Sequence, residues 1–347
     1  MRNWTYAPYL LFVLLALVIG VIGWKTYYVA QVIRNSSAAQ QRKVLYSKYA
    51  HAVVQPVTFY AQYSNNSDKM IARKGIIFKK PGARATVMIC HGFMCDKTDI
   101  RFLRMLFQEY NVMIFDFRAH GESRHGQHCT FGCDEVYDII AAARLIKADP
   151  ELGKIPLVVY AFSMGAVSAI NAQANDQTLF DCAILDCPFD STDALLDRSV
   201  ENLRVSIFGY SIGMPGRSLL RKYAYNYYVQ LLLKFLLNTV ARTDSSQIQT
   251  HMVPIDTVSA IEKVTIPTFF IVCRNDDKAP PHAVRKIYDH ARGYKRLWIT
   301  NGRSHFDSIF YHPEKYMYKT HEFVAKFLDG KFKDKVQEKI YQDDPEP

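Results

Sequence analysis

Between residues 156 and 170 this chain runs from a buried strand into a helix through one sharp turn centred on a serine. Pro156-Leu157-Val158-Val159 is a short apolar run of the kind found inside a parallel sheet. Ala166-Val167-Ser168-Ala169-Ile170 starts a helix lined with small residues. Tyr160-Ala161-Phe162-Ser163-Met164-Gly165 joins the two. Strand and helix cross closely there, so the positions two before and two after the serine must be small. Gly165 meets that need, and Ala161 adds one methyl to the glycine more common at its position. Such a turn lifts the serine hydroxyl out of the sheet and commits the chain to an α/β architecture.

The rest of the sequence repeats the alternation. Continuous apolar runs at residues 85–90, 112–115, 182–185, 268–272 and 296–299 read as buried strands. Residues 99–110 place Phe102, Leu103, Leu106 and Tyr110 on one helical face. Residues 134–148 are strongly amphipathic, carry Asp134 and Glu135 in the first turn and stop before Pro150. One further helix closes at Ala291 before Gly293, and another covers 316–328 and ends at Gly330. Near-continuous apolar strands between helices predict a mostly parallel central sheet with helices on both faces. Residues 191–266 interrupt the pattern and lack strand signals. They predict a helical cap insertion over about 191–262, above the strand ends where open α/β sheets bind ligands. Its middle, 218–240, is basic, tyrosine-rich and apolar, and simple cover for the core is an equal reading. Arg221, Lys222 and Lys234 divide that stretch, which argues against a membrane span.

The 347 residues allow one large domain, and 49% hydrophobic with 22% charged residues describe a globular chain. The N-terminus differs. Residues 3–24 carry no charge, and residues 7–24 are almost wholly aliphatic or aromatic. About 20 helical residues span a bilayer, so residues 1–30 predict a retained transmembrane helix and residues 31–52 a juxtamembrane linker. A cleaved signal peptide fits less well, because Tyr28-Val29-Ala30 sets a bulky residue where a small one is needed. Trp4, Tyr6 and Tyr9 at one end and Trp24, Tyr27 and Tyr28 at the other resemble interfacial belts. Lys25, Arg34, Arg42 and Lys43 favour a cytoplasmic catalytic domain, whereas the very short N-terminal tail favours an exported one, and the reading leans to the extracytoplasmic side. The resulting domain boundaries are 53–330 for the catalytic domain and 331–347 for a charged tail. The net charge of +10 suits an anionic membrane surface, and no recognised module points to nucleic acid. Of seven cysteines, Cys90, Cys182, Cys187 and Cys273 sit in or beside apolar runs and read as core. Cys129-x-x-x-Cys133 would suit a disulfide if the domain is exported, but it has no second half for a zinc site.

The serine acquires meaning from residues further along the chain. A serine nucleophile needs a base, and the base needs an orienting carboxylate. Val272-Cys273-Arg274-Asn275-Asp276-Asp277 leaves a strand end, with Asp276 the preferred acid and Asp277 its competitor. Trp298-Ile299-Thr300-Asn301-Gly302-Arg303-Ser304-His305 then delivers a histidine, the natural general base near neutral pH. The order serine, acid, histidine on successive strand ends is the order of a nucleophile elbow with its partners. Singly, Asp276 is a turn former and His305 a loop histidine; the ordered set is what carries weight. The oxyanion hole needs two backbone N–H donors, and Met164 and Phe93, in His91-Gly92-Phe93 after a strand end, are the candidates. His91 is a rival base that reads instead as orienting that loop, and Asp186 is a displaced alternative acid.

With these residues in place the chain resembles the α/β-hydrolase superfamily over residues 53–328. His91-Gly92-Phe93 is similar to its HG loop, and Asp116-Phe117-Arg118-Ala119-His120-Gly121-Glu122-Ser123 to its D-x-R-G-H-G-x-S segment. Ala161-Phe162-Ser163-Met164-Gly165 matches its elbow, and Asp276 with Pro280 its acid loop. Within the superfamily the chain resembles membrane-anchored Bem46-like serine hydrolases and their bacterial relatives, through Leu185-Asp186-Cys187-Pro188-Phe189 and Arg296-Leu297-Trp298-Ile299. Ala161 and the Asn301-Gly302-Arg303-Ser304 loop depart from the pattern without removing a chemical group. The expectation is a cofactor-free and metal-free enzyme that cleaves a small-molecule or lipid-like ester through Ser163, Asp276 and His305. A peptidase, a thioesterase, a perhydrolase or haloperoxidase, and a non-catalytic binding protein on the same fold are the alternatives.

Overall fold

The computed structural model describes residues 53–123, 126–202, 204–207, 210–213, 222–226, 228–231, 248–332 and 338–343. All belong to the second of two compact units, Ala50–Pro347. The expected anchor and linker, and most of the 218–240 stretch, lie outside the described residues. Among the described residues no helix is long and apolar enough to cross a membrane.

The strands are β1 (Val53–Gln62), β2 (Met70–Lys79), β3 (Thr86–Cys90), β4 (Asn111–Phe115), β5 (Leu157–Phe162), β6 (Cys182–Asp186), β7 (Arg204–Ile207), β8 (Tyr210–Gly213), β9 (Thr268–Cys273), β10 (Lys295–Thr300) and β11 (Glu338–Gln342). Nine of them form one sheet in the order β1-β2-β4-β3-β5-β6-β9-β10-β11. The β1–β2 and β2–β4 pairs are antiparallel, and every other neighbouring pair is parallel. Every residue of β3, β4, β5, β6 and β9 is buried, which explains why these runs are apolar throughout instead of alternating.

The helices are α1 (Glu135–Ala148), α2 (Met164–Asn175), α3 (Thr192–Asn202), α4 (Thr257–Ile261), α5 (Pro281–His290), α6 (Ser308–Tyr311) and α7 (Pro313–Leu328). Successive strand residues point to opposite faces, and both faces are covered. Val159 lines a small apolar gap with Ala169 and Ile170 of α2, while its neighbour Tyr160 packs on Phe107 and hydrogen-bonds the Tyr316 hydroxyl of α7. Likewise Phe269 meets Phe323 of α7 and Phe270 meets Tyr288 of α5.

Three features differ from the sequence expectation. Residues 99–107 form a 3₁₀ run instead of an α-helix. The insertion, expected to be helical, contains the antiparallel β7–β8 hairpin, where Val205, Ile207, Tyr210 and Ile212 recur with period two. The expected tail supplies β11, parallel to β10, and Asp343 just beyond it accepts a hydrogen bond from the buried Trp298 indole at 3.1 Å. All seven cysteines are free thiols; Cys129 is buried and Cys133 exposed, so the two are not bridged.

Candidate active site

The turn after β5 gives Ser163 a φ of 53° and ψ of −125°, outside the regions ordinary residues occupy. Its N–H donates to the Asp186 carbonyl at 2.9 Å, so the sheet holds the turn from the β6 side. On the other side the start of α2 presses on the end of β3. A Cβ added to Gly165 would lie 2.4 Å from the Cys90 carbonyl oxygen and 2.5 Å from that of His91. Only hydrogen fits there. Ala161 is fully buried, so its methyl is accommodated within the core. These contacts aim Ser163 Oγ away from the sheet.

Asp276 and His305 meet it there. His305 Nε2 lies 2.7 Å from Ser163 Oγ, and His305 Nδ1 lies 2.8 Å from Asp276 Oδ2. A carboxylate only accepts, so Nδ1 carries the ring proton and Nε2 is free to accept from the serine. The Asp276 side chain is wholly buried, and its Oδ1 also accepts from the N–H groups of Lys278 and Ala279 at 2.9 and 2.8 Å. Asp277, the neighbouring candidate, is exposed. The loop carrying His305 is closed by the Arg303 side chain on Asp307 at 3.0 Å. Gly302 is required within it, since a Cβ would come 2.5 Å from Cys273 Sγ. The unusual residues before the histidine thus form a packed turn.

Phe93 follows β3, and Met164 is the first residue of α2, where a helix leaves its N–H groups unpaired within the helix. The loop bearing Phe93 is clamped by two histidines. His91 Nε2 accepts from the Phe117 N–H at 3.0 Å, and its Nδ1–H faces the Gly92 carbonyl at 2.7 Å. His120 Nε2 accepts from the Met94 N–H at 3.3 Å. Both rings are buried, and burial drives both towards the neutral form these bonds require, pushing His91 down to about 3. His91 therefore orients the loop. Gly92 lets that loop touch the elbow: a Cβ on it would lie 2.9 Å from the Phe162 ring. Beneath the loop, Asp116 accepts from the Lys97 N–H and ammonium at 2.8 and 2.6 Å. Arg118 forks onto the buried Asp138 and caps the Gln62 and Tyr63 carbonyls.

His305 Nδ1 is taken by Asp276, and Asp186 is engaged elsewhere. It is fully buried at the end of β6, accepts from the Tyr316 hydroxyl at 2.7 Å, and is pushed up to about 7, chiefly by burial. It is not positioned as the acid partner of the imidazole. Cys187 comes next with φ 44°, and its Sγ lies 3.9 Å from His305 Nε2. Among the described residues, Cys187, Asp276 and His305 bring possible metal-ligating atoms within 4.8 Å of one another. Reading Cys187 from sequence as core alone misses this position; its place after a strand end, one residue past Asp186, is the available signal. Aromatic rings lead outward from the elbow. Phe162 stacks on Phe306 at 3.9 Å, Phe306 meets Phe310 at 6.3 Å, and Phe310 meets Phe102 at 5.8 Å. Phe310 and Phe102 are 58% and 42% exposed.

Residues 87–317 match the model of the Alpha/beta hydrolase family, and the chain belongs to that family. It is 27% identical over 248 residues to the uncharacterized protein YqkD of Bacillus subtilis (strain 168), covering 71% of each chain. Its fold is similar to that of the Pyrococcus furiosus esterase Pf2001, with a TM-score of 0.57, 21% identity, and coverage of 80% of this chain and 93% of that one. It is similar too to Rv0554 from Mycobacterium tuberculosis, with a TM-score of 0.54, 17% identity, and coverage of 78% and 99%.

Proposed function

We propose that this chain is a serine hydrolase that cleaves a carboxylic ester through an acyl-enzyme on Ser163. The observation that carries the reading is the continuous hydrogen-bonded series Ser163–His305–Asp276, built from the ends of β5, β10 and β9 of one sheet. In this mechanism His305 takes the Ser163 proton as Oγ attacks the ester carbonyl, then gives it to the departing alcohol. Asp276 holds the tautomer and faces the imidazolium that forms. The N–H groups of Phe93 and Met164 receive the oxyanion, and water attacks the acyl-enzyme in a second round of the same chemistry. The partly exposed aromatic series from Phe162 to Phe102 favours an apolar acyl group, and the esterase Pf2001 is a neighbour in fold.

The reading extends to a single-pass tether within residues 1–30 and to kinship with Bem46-like hydrolases; both rest on sequence. Alkaline carbonate extraction of membranes checks the tether: full-length chain released to the supernatant contradicts it. A p-nitrophenyl acyl ester series checks the activity. The expected result is hydrolysis that rises with acyl length and is lost in Ser163→Ala. Hydrolysis that survives in Ser163→Ala, or none with any ester, sinks the proposal.

A further inference from the structure

Cys187 and His305 meet beside the serine in a way the hydrolytic mechanism does not use. Cys187 is fully buried, and its positive φ of 44° is a conformation a non-glycine residue keeps only when its surroundings enforce it. The enforcement comes from the sheet: its N–H donates to the Ile271 carbonyl of β9 at 2.8 Å, just past the end of β6. The result is a sulfur 3.9 Å from His305 Nε2, the nitrogen that also lies 2.7 Å from Ser163 Oγ. A tetrahedral zinc ion, with bonds of about 2.3 Å to sulfur and about 2.0 Å to nitrogen, separates these two ligands by roughly 3.6 Å. The observed gap is a few tenths of an ångström longer. The far side of the ring is already arranged as metal-binding histidines are, with Nδ1–H on a carboxylate. Both Asp276 oxygens are engaged, one by three donors, so Asp276 orients the ring and leaves ligation to sulfur and nitrogen.

We propose that Cys187 Sγ and His305 Nε2 form a binding site for a borderline or soft divalent cation such as Zn²⁺ or Cd²⁺, with Ser163 Oγ or water completing the shell, and that filling it switches the serine off. The cation takes the Nε2 lone pair that otherwise receives the Ser163 proton. Burial and the nearby Asp186 and Asp276 carboxylates hold the thiol well above its ordinary value. The entering cation must therefore displace its proton, which leaves with the water the cation sheds, and sulfur then binds as thiolate. Hard cations such as Mg²⁺ and Ca²⁺ prefer oxygen shells and are excluded by ligand type. Binding is independent of the proposed ester hydrolysis; only the inhibition rests on that reading.

The test uses the full chain with Co²⁺ as the spectroscopic probe and Zn²⁺ as the inhibitor, on wild type, Cys187→Ala and Cys187→Ser. The serine variant keeps the side-chain size if the alanine variant does not fold. Wild type is expected to show a near-ultraviolet thiolate-to-cobalt band that both variants lack. Zn²⁺, and not Mg²⁺, is expected to slow labelling of Ser163 by a fluorophosphonate, reversibly with EDTA. The Zn²⁺ concentration for half-inhibition should rise at least about tenfold in the variants, since losing even an outer-shell partner costs that much. A band absent from wild type or retained in both variants overturns the site, as does equal Zn²⁺ sensitivity with and without Cys187. A band without any fluorophosphonate labelling leaves the site standing and removes the hydrolase reading.

Discussion

In the proposed mechanism Asp276 and His305 divide one task between them, and their geometry says what each loss should cost. Asp276→Asn keeps the shape but can offer an N–H to Nδ1, which favours the wrong ring tautomer. Its expected effect is a fall in kcat of about 10⁴-fold with little change in KM, read by steady-state kinetics on a p-nitrophenyl ester. His91 makes a different prediction, about stability. Its ordinary value is 6.5, and burial holds it at about 3 in the fold. Between those values the unfolded chain binds a proton that the folded chain refuses, so stability is retained above pH 6.5 and lost as pH falls. The slope from this one group is about 1.4 kcal/mol per pH unit. Urea titrations between pH 7 and 4 should show a shallower slope for His91→Asn than for wild type; equal slopes would contradict the assignment. That Ser163, Asp276 and His305 meet was legible because their order along the chain is distinctive. His120 and Cys187 were harder to read. Their roles depend on where β4 and β6 deliver them relative to β3 and β10, and no local spacing encodes that.

Among the elements, the β5–α2 turn is the most tightly determined. Gly165 sits against backbone carbonyls that no rotamer change can move. Gly165→Ala should therefore displace the end of β3 and the oxyanion loop together, costing about 1–3 kcal/mol of stability and a larger share of activity. Thermal melts and ester kinetics on one preparation check this, and a variant with wild-type melting and turnover would contradict it. The aromatic series that runs through Phe310 of α6 belongs to this scale too. Phe310→Ser should lower kcat/KM for a long-chain ester on the order of tenfold, about 1.4 kcal/mol, and leave the acetate ester little affected. A uniform loss across chain lengths would assign Phe310 to folding instead. Strands with continuous apolar runs were legible from sequence, since burial on both faces removes alternation. β7 and β8 were not, because their four-residue period-two patterns are too short to stand out within a long insertion.

Across the whole molecule, the antiparallel edge made by β1 and β2 and the added strand β11 complete a nine-stranded sheet that the sequence outlined only at its centre. β1 is largely exposed, and both Val53–Gln62 and Glu338–Gln342 carry polar residues, so they lack the apolar signature of β3 to β6. The edges still matter to the site. Arg118, in the loop after β4, holds the end of β1 and Asp138 of α1 at once, tying the outer sheet to the segment beneath the Phe93 loop. The architecture thus brings the ends of β3, β5, β9 and β10 to one edge, and the central claim is that Ser163 at that edge is an activated nucleophile. Reaction of the full chain with a fluorophosphonate, followed by intact-mass and peptide mapping, tests it most directly. The account predicts one adduct, on Ser163, lost in Ser163→Ala and strongly slowed in His305→Ala. An unmodified chain, or an adduct that persists when Ser163 is replaced, would contradict it.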